Sequence, residues 1–248
     1  MPLDPAFKAG LARHETGQVS CALDCKQLYS YGIIQTLFYH LLFTCTATTM
    51  KTKTILCIGD SHTAGFPDFD PFMGGDPESS YQYWLNLELS KTQPTADYLF
   101  INEGACGDTS GGIVHRLQQA LKTRGYDLVI LAGGTNDLGL TNGDQVFYNL
   151  KQGCEACMRN SIPVIASAIP PISFAESVSR VKSLNNAIQS YASQNQHIVF
   201  ADWFKALQDD RGFLADIYNS GDGVHLSVAG YKCIGQLLAP LVKQSINV

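Results

Sequence analysis

The sequence predicts an α/β fold built on a parallel sheet. From residue 54 onward, short β-branched or apolar runs alternate with longer helical stretches, the pattern of successive βα units. The runs are apolar throughout, without polar alternation, as in strands covered on both faces. Gly, Asp, Ser and Asn cluster at their ends, where an open α/β sheet binds its ligands.

The strands read in order as TILCI (54–58), ADYLFIN (96–102), DLVILAG (127–133), PVIASAI (163–169) and HIVFAD (197–202). Between them, YQYWLNLEL, GGIVHRLQQALK, DQVFYNLKQGCEACMR and AESVSRVKSLNNAIQSYASQ carry apolar residues at three- and four-residue steps, for example Ile113, Leu117 and Leu121. LSVAGYKCIGQLLAPLVK closes the chain as a last helix. There is no internal repeat and no second domain in the pattern.

With 248 residues, 45% of them hydrophobic, the chain has ample material for one core. A net charge of -5 without Lys/Arg clusters argues against a nucleic-acid surface, which needs a basic footprint. Eight cysteines at irregular spacing read as mostly reduced and buried. Cys154 and Cys157 form an isolated C-x-x-C without a second pair or a histidine at metal spacing, and His115 and His197 read as structural residues.

The first fifty residues follow a different pattern. Between Lys26 and Lys51 lie 24 residues without Asp, Glu, Lys or Arg, including YGIIQTLFYHLL, a length that raises a membrane span or signal segment. Gln35, His40 and several Ser/Thr interrupt it, and the preceding segment mixes acids with bases, unlike a basic signal region. We read residues 1–49 as an N-terminal extension, disordered or membrane- or signal-like, and 50–248 as the functional domain. Residues 31–48 leave membrane contact open without favouring it. The lack of an N-x-[ST] site favours the cytoplasm, with secretion or anchoring left open through the extension.

Four strand-end segments carry the chemistry: GDS (59–61), NEGACGDTSGG (102–112), GGTND (133–137) and GDGVHLS (221–227). Each alone is what a helix cap or tight turn requires. Together, in order, they supply the parts of an acyl-transfer site. Ser61 is the candidate nucleophile, His225 its base and Asp222 the acid that orients the ring. The N–H groups of Ser61 and Gly107 with the Asn136 amide are candidates for a three-donor oxyanion hole. Asp60, Asp108, Thr109 and Asp137 read as capping or bracing residues.

These residues resemble the four blocks of the SGNH or GDSL hydrolases: GDS near the start, Gly in N-x-x-x-x-GDTS, Asn in GTND and a late D-x-x-H. The resemblance covers residues 54 to about 245, and Ser61, Gly107, Asn136 and His225 stand where the family has Ser, Gly, Asn and His. It implies a flavodoxin-like, doubly wound five-stranded sheet in a three-layer α/β/α sandwich. It further implies a serine esterase of the lysophospholipase, thioesterase and arylesterase branch, acting on small-molecule or lipid esters without metal or cofactor. His62, where the family name has Leu, reads as a turn residue beside the nucleophile or as one that supports the catalytic groups from behind. The loop GFPDFDPFMGGDPESS (65–80) reads as a lid or binding rim, in which Phe66, Phe69 and Phe72 line an acyl pocket or fold onto the core.

Two other readings stay open. The same triad could remove acetyl groups from carbohydrate or pass the acyl group to an alcohol. A non-enzymatic module could hold phosphate or flavin on the Gly-rich rims, although it leaves Asp222 and His225 unused. The sequence lacks G-x-S-x-G, G-x-x-x-x-G-K-[ST], G-x-G-x-x-G and H-E-x-x-H. Substrate and oligomeric state are not written in the residues.

Overall fold

The computed structural model describes residues 52–94, 96–141 and 143–246. The extension at 1–49 and the apolar segment 31–48 lie outside the described residues. No helix among the described residues is long and apolar enough to cross a membrane.

The five strands are β1 (Lys53–Gly59), β2 (Tyr98–Gly104), β3 (Leu128–Leu131), β4 (Val164–Ser167) and β5 (Ile198–Ala201). They form one parallel sheet in the order β2-β1-β3-β4-β5, the flavodoxin-like doubly wound arrangement. β1 lies inside the sheet, between β2 and β3, and its apolar run is fully covered: Ile55, Leu56, Cys57 and Ile58 are all 0% exposed. Its two neighbours end level with it, Gly59 opposite Gly104 and Ile58 opposite Leu131.

Among the described residues the α-helices are α1 (Ser61–Ala64), α2 (Tyr81–Thr92), α3 (Ser110–Thr123), α4 (Gly143–Arg159), α5 (Val178–Ser193), α6 (Trp203–Leu207) and α7 (Val228–Ile246). α2 packs on α7 and α7 on α6, while α3 packs on α4 and α4 on α5, giving the two outer layers of the sandwich. Gly235 lets α7 approach α2 closely, since a Cβ there would lie 2.5 Å from that of Trp84.

The chain leaves β1 for β2 on one side and returns to β3 on the other. That reversal opens a crevice at the carboxyl ends of β1 and β3. All five strands differ by one or more residues from the ranges read in the sequence, and two of the shifts bear on the site. β2 begins at Tyr98 and runs to Gly104 rather than spanning 96–102, because its register with β1 carries it to the level of Gly59. β3 stops at Leu131, since Gly133 and Gly134 take φ values of 150 and 114 that turn the chain out of the sheet.

The loop at 65–80 is folded. Phe69–Asp70 pairs with Gly74–Gly75 as a two-residue antiparallel ladder, and a 3-10 turn follows at Pro77–Ser79. Asp70 Oδ1 accepts from the N–H groups of Phe72 and Met73 and Asp76 Oδ1 from that of Glu78, so these acids cap turns.

Gly104 joins β2 to the helix that follows β1. A Cβ at this position would sit 2.0 Å from the Ala64 backbone nitrogen. Gly104→Ala is therefore expected to destabilise the fold by roughly 1–3 kcal/mol through overpacking. Urea unfolding should give a lower midpoint at unchanged m-value; an unchanged midpoint would show that the contact yields freely.

Candidate active site

The turn after β1 presents Ser61. Asp60 caps the single-turn helix α1, its Oδ1 accepting from the His62 N–H at 3.1 Å. Gly65 closes the turn in the left-handed region, with φ of 112 and its N–H on the Ser61 carbonyl. Ser61 is 5% exposed, and its Oγ lies 3.0 Å from His225 Nε2.

His225 sits on the loop before α7, and that loop is shaped by its own polar side chains. Asp222 Oδ1 accepts from the N–H groups of Val224 at 2.9 Å and His225 at 2.8 Å, closing a tight Asx turn. Asp222 Oδ2 lies 2.5 Å from His225 Nδ1. A carboxylate only accepts, so Nδ1 carries the hydrogen and Nε2 turns its lone pair to the serine hydroxyl. Burial pushes the Asp222 carboxyl upward, but hydrogen bonds from the His225 ring and the two N–H groups outweigh it and hold the pKa down to about 2.

Asn219 and Ser173 brace the same loop. Asn219 Oδ1 accepts from the N–H groups of Gly221 at 2.8 Å and Gly223 at 3.0 Å. The Ser173 N–H, in the IPPISF turn after β4, donates to the Gly223 carbonyl at 2.7 Å. Phe66 lies edge-on to the His225 ring, with 4.5 Å between centroids. Phe72 is 84% exposed and does not fold onto the core.

The two Gly/Asn rims are tied to each other. Asn136 donates one amide hydrogen to the Asp108 carbonyl at 2.9 Å. Asp137, 1% exposed, accepts from the Ser110 N–H at 2.8 Å and the Ser110 hydroxyl at 2.7 Å, so it caps α3 from the neighbouring rim. Gly107 adopts φ of 78, and a Cβ there would meet nothing within 4 Å. Its backbone faces open space in a conformation that favours glycine.

One residue of the rims was not legible in the sequence. Arg116 on α3 donates to Asp108 Oδ2 at 2.8 Å, to the Glu103 carbonyl at 2.6 Å and to the Gly59 carbonyl at 2.8 Å, stapling the ends of β1 and β2. Asp108 thus pairs with Arg116, whereas Thr109 supplies the side-chain cap of α3. His115 and His197 are exposed. Cys57, Cys154 and Cys157 are buried free thiols, and burial pushes their pKa values up to about 12, away from thiolate chemistry.

The profile of the GDSL-like Lipase/Acylhydrolase family matches residues 57–233. The chain belongs to that family. It is accordingly a hydrolase of ester bonds acting on small-molecule esters, and the phosphate- or flavin-holding module is set aside. No curated protein matches the sequence. Solved structures do: a GDSL-like lipase from Bacteroides thetaiotaomicron aligns over 78% of this chain and 89% of its own, at TM-score 0.59 and 22% identity. A carbohydrate esterase family 3 protein from Talaromyces cellulolyticus aligns over 79% and 98%, at TM-score 0.60 and 19% identity. An acetyl esterase variant with an acetate ion aligns over 79% and 98%, at TM-score 0.59 and 20% identity. At these identities the likeness establishes the shared fold.

The low pKa of Asp222 has a consequence for stability. Its folded value, about 2, lies below the ordinary 3.8, so the stabilisation is present above about pH 4 and is lost as pH falls towards 2. Unfolding curves at pH 6, 4 and about 2.5 should show Asp222→Asn losing less stability than the wild type over that interval. Parallel losses would contradict the assignment.

Proposed function

We propose that Ser61 is the nucleophile of a serine esterase, His225 its general base and Asp222 the carboxylate that orients and stabilises the imidazole. One observation carries the reading: Asp222 Oδ2, His225 and Ser61 Oγ are joined by successive contacts of 2.5 and 3.0 Å. That is hydrogen-bond reach for a proton relay from hydroxyl to imidazole.

As Ser61 Oγ bonds to the acyl carbon, its proton passes to Nε2, and the anionic Asp222 stabilises the imidazolium. The carbonyl oxygen becomes an oxyanion within reach of the Ser61 and Gly107 N–H groups and the second Asn136 amide hydrogen. The first amide hydrogen stays on the Asp108 carbonyl, which fixes the direction of the second. Collapse expels the alcohol, which takes the proton from Nε2. Water then attacks the acyl-enzyme by the same path and releases the acid.

The substrate is a carboxylic ester, whose acyl group would reach Ser61 beside the Phe66 ring that packs on His225. Removal of acetyl groups from carbohydrate is the second reading, favoured by the shared fold of an acetyl esterase and a carbohydrate esterase. Relative turnover of a per-acetylated sugar and of p-nitrophenyl octanoate separates the two.

Ser61→Ala should lower turnover of p-nitrophenyl acetate by roughly four to six orders of magnitude, because the triad acts as a unit. Full activity in that variant would refute the assignment. Asn136→Ala should cost about 10²- to 10³-fold in kcat with the fold intact; a loss below about threefold removes Asn136 from the hole.

A further inference from the structure

His62 directly follows Ser61 and is 1% exposed, an imidazole where the GDSL block has leucine. Both of its ring nitrogens face acceptors. Nε2 lies 3.0 Å from the Val224 carbonyl oxygen, which can only accept, so Nε2 carries a hydrogen. Nδ1 lies 3.2 Å from Asp60 Oδ1. A bare Nδ1 would aim a lone pair at that oxygen, so a hydrogen sits between them as well.

The ring with both hydrogens, set against the carboxylate, makes an imidazolium–carboxylate pair without net charge. That neutrality is what allows two ionised groups at 1% exposure to persist. Burial disfavours the charged ring, but the Asp60 hydrogen bond and charge outweigh it, with smaller help from the Val224 carbonyl and Asp222, so the histidine pKa is raised above 6.5. The other titratable groups near the pair are His225 on the base loop, at 5.6 Å between ring centroids, Cys106 after β2, Tyr81 on α2 and Tyr231 on α7. Burial raises the pKa values of Cys106 and both phenols, keeping those three uncharged.

The position of the pair matters because of what each end adjoins. His62 is next to Ser61, and Val224 is next to His225. The link from His62 Nε2 to the Val224 carbonyl therefore runs alongside the contact from Ser61 Oγ to His225 Nε2, one residue over in both chain segments. A leucine would fill the space but could not direct the carbonyl.

We propose that His62, protonated and held by Asp60, is a positioning residue whose Nε2–H pins the Val224 carbonyl and so sets the separation of Ser61 Oγ and His225 Nε2. The proposal rests on the reading of Ser61 and His225 as nucleophile and base. The Nε2–H is present in the imidazolium and in the neutral Nε2–H tautomer, so the link to the Val224 carbonyl does not depend on the Nδ1 proton.

Steady-state kinetics of His62→Leu and His62→Gln on p-nitrophenyl acetate test it. Misplacing a base by a fraction of an ångström to one ångström costs up to about 10²-fold, so His62→Leu should lower kcat by about 10- to 100-fold with KM within about twofold. Glutamine reaches the carbonyl with its own N–H and should restore kcat to within about fivefold of the wild type. A leucine variant within about twofold of wild type, or a glutamine variant no better than leucine, overturns the proposal. Should His62→Leu fail to fold, ¹⁵N NMR of the wild-type imidazoles decides: a hydrogen on His62 Nε2 near pH 6.5 supports it, and a bare Nε2 overturns it. Full activity in Ser61→Ala would instead sink the triad reading, independently of His62.

Discussion

The register of β1 between β2 and β3 is the constraint on which the site depends. Gly59 ends opposite Gly104, and Ile58 is opposite Leu131, so three turns leave the sheet at one level. A slip of one residue in a parallel pair would flip side chains to the wrong face of the sheet and carry Ser61, Gly107 or Asn136 out of line. The register is held by burial, since the inner residues of β1 and β3 are almost fully excluded from solvent. Arg116 adds a fork that binds the carbonyls at the ends of β1 and β2 at once, which lysine could not do.

On that level floor, polar groups are tied to one another before any substrate arrives. Asp137 holds Ser110, Asn136 holds the Asp108 carbonyl, Asp108 holds Arg116, and Asp60 holds His62. Such prior organisation matters because donors already aimed at a developing oxyanion need no reorganisation during the reaction. The loop that carries His225 arrives from the far end of the chain and is self-shaped by Asp222 and Asn219, then anchored by Ser173 and His62. Local turn chemistry thus sets the loop's form, and long-range hydrogen bonds set its place.

Strand-forming runs and the four Gly/Asp/Ser/Asn segments were legible because both signals are local: β-branched apolar runs mark strands, and small polar residues mark the turns that end them. Ser61, His225 and Asp222 come together as the sequence pattern implied. Arg116 was not legible, because a single arginine on an amphipathic helix looks like any solvated residue until its three acceptors converge. His62 was read as a turn or supporting residue, but its partner was not legible, since nothing local reveals that the backbone of residue 224 lies 3.0 Å away. The ladder and 3-10 turn within the loop at 65–80 left no periodic signal, because each involves only two or three residues. For the same reason the sequence left the direction of Phe72 open, and its exposure excludes only packing on the core.

If the hydroxyl after β1, and no other group, attacks the acyl carbon, covalent labelling with a fluorophosphonate should place one stoichiometric adduct on Ser61 by peptide mass spectrometry, with labelling abolished in His225→Ala. An adduct on any other residue, or undiminished labelling without the imidazole, would contradict it.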